Sequence, residues 1–91
     1  MYTKTVSIIN PTGLHARPAA DFVAAAGKFE SQIKISKEGS NRPAANAKSI
    51  VFVMAQGLSQ NSTAVLSAEG PDEKQAVETL VSLIEGGFGE V

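Results

Sequence analysis

Short apolar patterns of two different periods alternate along the chain, and turn-forming residues separate them. Val6 and Ile8 alternate with polar neighbours, as in a half-buried strand, and the turn residues 10–13 end that strand. The same alternation recurs in residues 33–36 and 62–68. Strands with one apolar face each are satisfied by an antiparallel sheet that carries its helices on one side. The sequence therefore predicts an α+β fold.

Helical patterns lie between these strands. Residues 16–26 are rich in alanine and have Pro18 in the first turn, where its missing N–H has no intrahelical partner to lose. Gly27 follows in the position of a C′ glycine. Residues 49–56 form a short apolar segment with Ser49 as its N-cap, and we interpret it as a helix. Its periodicity alone would also allow a buried strand.

A third helix is predicted near the end of the sequence. Residues 70–73 open it with an early proline and with acids in the first turn, where the helix dipole favours them, and residues 86–87 end it. Residues 39–45 indicate a loop, with a short edge strand near Ala44. The apolar stripe of the third helix comprises Ala76, Leu80, Leu83 and Ile84, with Val77 and Val81 beside it.

Composition excludes several classes of function. The net charge is −1 and the isoelectric point is near 5.7, which argues against nucleic-acid binding. There is no cysteine, and one histidine cannot build a histidine-rich site, so we expect no metal and no cofactor. No apolar run approaches the ~18 residues of a membrane span, and no signal peptide opens the chain. We expect one cytoplasmic domain, residues 1–91.

His15 is the main candidate for chemistry. It is the only histidine, and it directly precedes a predicted helix, where free backbone N–H groups form a ready anion site. Arg17 follows, with a planar guanidinium suited to phosphate oxygens. Both could instead be ordinary solvated residues at a helix start. If they are functional, one nucleophile without a partner base suits a phosphoryl carrier better than a self-sufficient hydrolase.

A resemblance supports the carrier interpretation. Three segments of the chain resemble motifs of one known family. Residues 10–20 resemble its active-site signature, and Lys48-Ser49-Ile50 resembles its second motif. Ser67-Ala68-Glu69-Gly70 followed by Asp72-Glu73 resembles its last strand and final helix start. The resemblance runs essentially end to end. The family is that of the histidine-containing phosphocarriers (HPr) of the bacterial phosphoenolpyruvate-dependent sugar phosphotransferase system, and its active-site signature resembles Asn10-Pro11-Thr12-Gly13-Leu14-His15-Ala16-Arg17-Pro18-Ala19-Ala20.

The resemblance implies both a fold and a function. The fold is an open-faced β-sandwich, βαββαβα, in which a four-stranded antiparallel sheet carries three helices on one face. Enzyme I would phosphorylate Nδ1 of His15, Arg17 would assist the phosphate, and the A domain of a sugar-specific enzyme II would receive it. Ser49 would be the regulatory site of an ATP-dependent kinase. A kinase/phosphorylase and a transcriptional regulator are therefore expected as further partners.

Partner docking is expected on a shallow apolar surface near His15, since a carrier must fit unlike partners in turn. The residues predicted to form it are Ala20, Ile50, Val51 and Met54. Val53 is expected in the core, and a carrier that exposes its site to several partners is most simply a monomer. A regulatory binding module that acts through Ser49, and a nitrogen-branch carrier, are the alternatives.

Three features depart from the family pattern. The segment 36–48 is a few residues longer than expected and contains Pro43. Phe52 stands where the family more often has a small or polar residue, so it either enlarges an exposed apolar patch or changes how the short helix sits. Asn61 replaces an expected turn glycine, and asparagine tolerates the same left-handed conformation.

Overall fold

A computed structural model describes residues 1–90. The α+β class and the open-faced arrangement of a four-stranded antiparallel sheet with three helices are confirmed. The strands are β1 (Tyr2–Ser7), β2 (Gln32–Lys37), β3 (Ala45–Asn46) and β4 (Thr63–Glu69), and the helices are α1 (Ala16–Ala26), α2 (Ile50–Ala55) and α3 (Glu73–Glu85), followed by a 3₁₀ turn at Gly87–Gly89.

The sheet has the strand order β1-β4-β2-β3, with every neighbouring pair antiparallel. Its register places Val6 opposite Ala64 and Ile35 opposite Leu66. Directly opposite residues of an antiparallel pair share a face, so the alternating apolar residues of the strands collect on one side. That side is fully covered, and its core cluster includes Phe22 of α1, Val53 of α2 and Leu80 of α3.

Polar contacts fix β1 to α3 at the margin of this core. Tyr2 and Lys4 lie opposite Ala68 and Leu66, so they point to the helix side of the sheet. The Tyr2 hydroxyl donates to Glu78 Oε2 at 2.5 Å, and Lys4 Nζ lies 2.6 Å from the same oxygen. Lys4, and then Tyr2, hold the pKa of Glu78 below its usual range. The outer strand is therefore held by one shared carboxylate as well as by its backbone ladder.

Asp72 joins the start of α3 to the start of β2. We expected it in the first turn of the helix, but it occupies the N-cap position and its side chain caps nothing. Its carboxylate instead accepts from the N–H groups of Glu30 and Ser31, at 2.9 and 3.0 Å, and from the Ser31 hydroxyl at 2.5 Å. The Ser31 hydroxyl is the largest cause that lowers the pKa of Asp72.

The element predictions hold with two corrections. Gly27 does not adopt the left-handed C′ conformation, since its φ is −64° and the chain leaves α1 through ordinary turn hydrogen bonds. Leu83 is only half-buried and lies outside the α3 core stripe. The strand alternative for residues 49–56 is wrong, because α2 is a helix. Asn61 has a φ of 74°, which confirms the left-handed turn position.

The segment 36–48 folds back against α2. The guanidinium of Arg42 donates to the carbonyl of Ala55, and Gln56 Nε2 donates to the carbonyl of Pro43 at 3.2 Å. These bonds tie the loop to the last turn of α2. The edge strand lies just beyond the predicted Ala44 and has only two residues. No helix within residues 1–90 has both the length and the apolar character needed to cross a bilayer.

Candidate functional site

His15 is exposed between two buried anchors. Leu14 before it is fully buried, and Pro18 and Ala19 of α1 are buried after it. His15 occupies the N-cap position of α1 with extended backbone angles, φ −133° and ψ 156°, but its side chain makes no capping hydrogen bond. Its ring nitrogens make no hydrogen bond with any residue from 1 to 90, and the first N–H groups of α1 are not occupied by its side chain. The helix start predicted directly after His15 is confirmed.

The backbone between His15 and Arg17 is strained at Ala16. Ala16 has a φ of 52°, in the left-handed region, where an L-residue other than glycine costs roughly 1–2 kcal/mol. The side chain of Ala16 is exposed, so it gains nothing from burial. The buried residues on both sides hold this conformation in place. Such strain persists only where the surrounding structure over-determines it, and it concentrates at functional sites.

The turn that precedes His15 is packed against the 58–59 backbone. Gly13 has a φ of 70°, and a Cβ built on it would lie 2.4 Å from the carbonyl oxygen of Leu58. Leu14 N–H donates to that same oxygen at 2.8 Å. Asn10 is fully buried, and its Nδ2 donates to the carbonyl of Gly13 at 2.9 Å. The turn before His15 can lie this close to the backbone of residues 58–59 only because Gly13 has no side chain.

Arg17 is the cation that the sequence predicts for this site. Its side chain is exposed and makes no hydrogen bond or ion pair with any residue from 1 to 90. Its guanidinium therefore keeps all of its donors for an external anion. An unshielded imidazole, an unpaired guanidinium and a helix N-terminus can together receive a phosphoryl group. In the same described range, no cluster of three or more candidate ligands is placed to hold a metal ion.

The predicted docking patch lies on α1 and α2, which pack against each other. We use this name for Ala20, Ile50, Val51 and Met54. Ala20 is exposed, Ile50 is 38% exposed and Val51 is 66% exposed, whereas Met54 is half-buried and packs against the core. Phe52 is 60% exposed, so it enlarges the apolar surface of α2. Val53 is fully buried, which confirms its place in the core.

Ser49 stands at the start of α2 with its hydroxyl uncommitted. It has N-cap backbone geometry, and its carbonyl accepts from Val53 N–H at 3.0 Å, but its Oγ makes no capping hydrogen bond. Lys48 beside it donates from Nζ to the carbonyl of Phe29 at 2.7 Å. The hydroxyl, half-exposed at a helix start, does not stabilise α2 in the way that the N-cap prediction supposed.

Sequence reasoning missed one residue of this site, Glu90. Its Oε1 accepts from Asn10 Nδ2 at 3.1 Å and from Thr12 N–H at 3.2 Å. Asn10 and Thr12 belong to the recognised motif, but nothing near Glu90 in the sequence indicates this contact. Only the folded chain brings the two segments together.

Comparisons with known proteins agree on one family. The family model "PTS HPr component phosphorylation site" matches residues 2–86. The phosphocarrier protein HPr of Cupriavidus necator is 42% identical over 90 residues, which are 99% of this chain and 98% of that protein. The crystal structure of HPr from Thermoanaerobacter tengcongensis superposes with a TM-score of 0.92 at 50% identity and covers 100% of this chain and 99% of that one.

A longer relative contains the same unit. The multiphosphoryl transfer protein of Vibrio cholerae is 44% identical over 89 residues, which are 98% of this chain but only 22% of that protein. The chain therefore spans about a fifth of this relative and nearly the whole of the HPr proteins.

We expect Gly13→Ala to destabilise the protein more than Gly39→Ala does. Both glycines have positive φ, 70° and 84°, so alanine costs roughly 1–2 kcal/mol at either position. Only Gly13 is crowded, since nothing lies within 4 Å of a Cβ at Gly39. Overpacking should add about 1–3 kcal/mol at Gly13. Urea unfolding of the two variants measures the difference, and equal losses would contradict the packing of the turn on Leu58.

Proposed function

The chain belongs to the HPr family of phosphocarriers of the phosphotransferase system, and on that premise we propose that His15 carries the phosphoryl group. The observation that supports this most is the exposed imidazole at the start of α1, between buried anchors and beside an unpaired guanidinium. In this proposal enzyme I, loaded by phosphoenolpyruvate, is the donor, and the A domain of a sugar-specific enzyme II is the acceptor.

The residues present fit each part of the transfer. Nδ1 of neutral His15 attacks the phosphorus, the Nδ1–P bond forms as the bond to the donor breaks, and the ring proton stays on Nε2. Arg17 and the first N–H groups of α1 meet the charge on the phosphoryl oxygens. Transfer onward to enzyme II is the reverse step with a different partner. The protein acts as a stoichiometric carrier, since its part in the reaction is a covalent intermediate.

The docking patch receives the partners in this proposal. Val51 and Ile50 offer exposed apolar surface on α2, and α1, which begins at His15, packs directly against α2. Small apolar side chains on two short helices can contact unlike partners in turn. The carrier is proposed to act in the cytoplasm as a monomer and as one domain, because a partner must reach the patch and His15 together.

Ser49 is proposed as a regulatory phosphorylation site. Its Oγ is not used in capping, so a kinase can transfer the γ-phosphoryl group of ATP to it without breaking a hydrogen bond of the fold. The phosphate would bring about −1.5 to −2 charge next to Ile50 in the docking patch. Because α2 has only six residues, its dipole stabilises this phosphate little. The phosphate would weaken the binding of enzyme I by electrostatic repulsion and by the cost of desolvating its charge at the interface.

We expect His15→Ala to abolish phosphorylation by enzyme I and phosphoenolpyruvate, as judged by intact mass. Arg17→Ala should keep the fold and slow transfer by about 10- to 100-fold, in line with the loss of one charged donor to a transferring phosphoryl group. Thermal unfolding should be unchanged in Arg17→Ala, because the Arg17 side chain is exposed and has no partner within residues 1–90. A His15→Ala protein that still gains an acid-labile phosphate would refute the assignment.

Val51→Glu should raise the KM for enzyme I by about 5- to 30-fold and leave the melting temperature nearly unchanged, because the side chain is mostly exposed. Met54→Glu should instead lower the melting temperature, since Met54 packs against the core. Thr3→Glu adds the same charge on the open face of the sheet and serves as the control. An unchanged KM for Val51→Glu would show that partners dock elsewhere.

Ser49→Asp should slow phosphorylation of His15 at low salt, and added salt should restore part of the rate by screening. Ser49→Ala is the matched control. It should transfer at the wild-type rate and lose much less than the ~1 kcal/mol of a working N-cap, because its hydroxyl makes no capping bond. A Ser49→Asp rate equal to wild type at both salt concentrations would remove the regulatory role.

A further inference from the structure

We propose that Glu90 is a positioning residue for phosphoryl transfer: its carboxylate fixes the Asn10–Gly13 turn and, through that turn, the place of His15. The proposal rests on the proposed function of His15. It starts from a contact between two segments about 80 residues apart. One oxygen, Oε1 of Glu90, accepts from Asn10 Nδ2 at 3.1 Å and from Thr12 N–H at 3.2 Å.

The backbone after α3 is shaped to deliver this carboxylate. Three consecutive residues, Gly87, Phe88 and Gly89, have positive φ values of 70°, 54° and 79°. Phe88 bears the cost of this conformation as a bulky residue, and it is half-buried against the core cluster. Glu90 N–H donates to the carbonyl of Gly87 at 2.9 Å and closes the turn. The packing of Phe88 and the positive φ angles that the two glycines allow therefore place Glu90 against the turn that precedes His15.

The contact gives two donors of the turn, Asn10 Nδ2 and Thr12 N–H, a shared acceptor, while the buried Asn10 Oδ1 has no partner within residues 1–90. Asn10 is fully buried, and its Nδ2 bonds both the carbonyl of Gly13 and the carboxylate of Glu90. Both partners are acceptors only, so they fix the orientation of the amide. The backbone N–H of Thr12 donates a hydrogen bond to the same carboxylate. Without Glu90, one proton of a buried amide and one backbone N–H of the turn lose their partner, and the turn loosens.

A loosened turn affects catalysis more than it affects folding. His15 lies two residues after Gly13, and its side chain makes no capping hydrogen bond that would fix its direction. The backbone of the turn therefore sets the direction of the Cα–Cβ bond of His15, and with it the region that Nδ1 can reach. Loss of orientation lowers the rate of an in-line transfer without changing the docking surface on α2. The hydrogen bond from Asn10, and then those from Thr12, lower the pKa of Glu90, so it stays ionised at neutral pH.

The test compares full-length wild type, Glu90→Ala, Glu90→Gln and the control Glu85→Ala, an exposed glutamate at the end of α3. For Glu90→Ala we expect kcat for phosphorylation by enzyme I to fall about 5-fold with KM unchanged, because a loosened turn holds His15 in line for transfer less often. Glu90→Gln keeps an acceptor oxygen and should recover most of the rate. Glu85→Ala should match wild type.

A second measurement does not depend on phosphoryl transfer. In wild type, the amide proton shift of Thr12 should titrate with a midpoint below the usual 4.5 of a glutamate, and amide hydrogen exchange at Thr12 should be slow. Glu90→Ala should remove the titration and speed the exchange.

The outcomes separate the two proposals. A wild type that takes no phosphate would overturn the proposed function, and the Thr12 titration would still judge the contact. A wild-type kcat in Glu90→Ala, or a change in KM alone, would overturn the positioning role. The absence of a Thr12 titration in wild type would overturn the contact itself.

Discussion

Burial of a single face of the sheet is the constraint on which the rest of this structure depends. Most inward positions of the strands are apolar, and one layer of helices covers that face with Phe22, Val53 and Leu80 among the buried residues. A small chain has little core to spare, so the helices must cover this face and no other. The arrangement also fixes the start of α1 at the rim of the sheet, because Leu14 on one side of His15 and Pro18 on the other are drawn into the core.

Polar contacts then specify what apolar packing leaves free. Three carboxylates, those of Glu78, Asp72 and Glu90, each join segments that are distant in sequence, and each bonds two or more donors. The first holds β1 to α3, the second holds the start of α3 to β2, and the third holds the end of the described chain to the His15 turn. Apolar burial is non-directional, whereas these bonds have defined geometry, so they determine the orientation of the termini and turns.

The sequence predicted what local chemistry decides. The two-residue period of Val6 and Ile8, the proline in the first turn of α1 and the left-handed Asn61 all follow from properties of neighbouring residues, and the structure agrees with them. The contacts of Asp72 and Glu90 could not be predicted, since their partners lie about 40 and 80 residues away. The prediction of a left-handed C′ conformation for Gly27 was wrong, because a glycine after a helix permits that conformation but does not require it. The same limit applies to Met54, whose half-burial depends on how α2 sits on the sheet.

The unequal margins of the sheet have a consequence for how the protein behaves at high concentration. One margin is the two-residue strand β3, which exposes very little unpaired backbone. The other is β1, whose six residues leave one row of N–H and C=O groups without a neighbouring strand. An unpaired margin of this length is a template for the backbone of a second molecule. Self-association through strand pairing would therefore take place along β1, whose only charged residue, Lys4, is paired with Glu78 on the helix face.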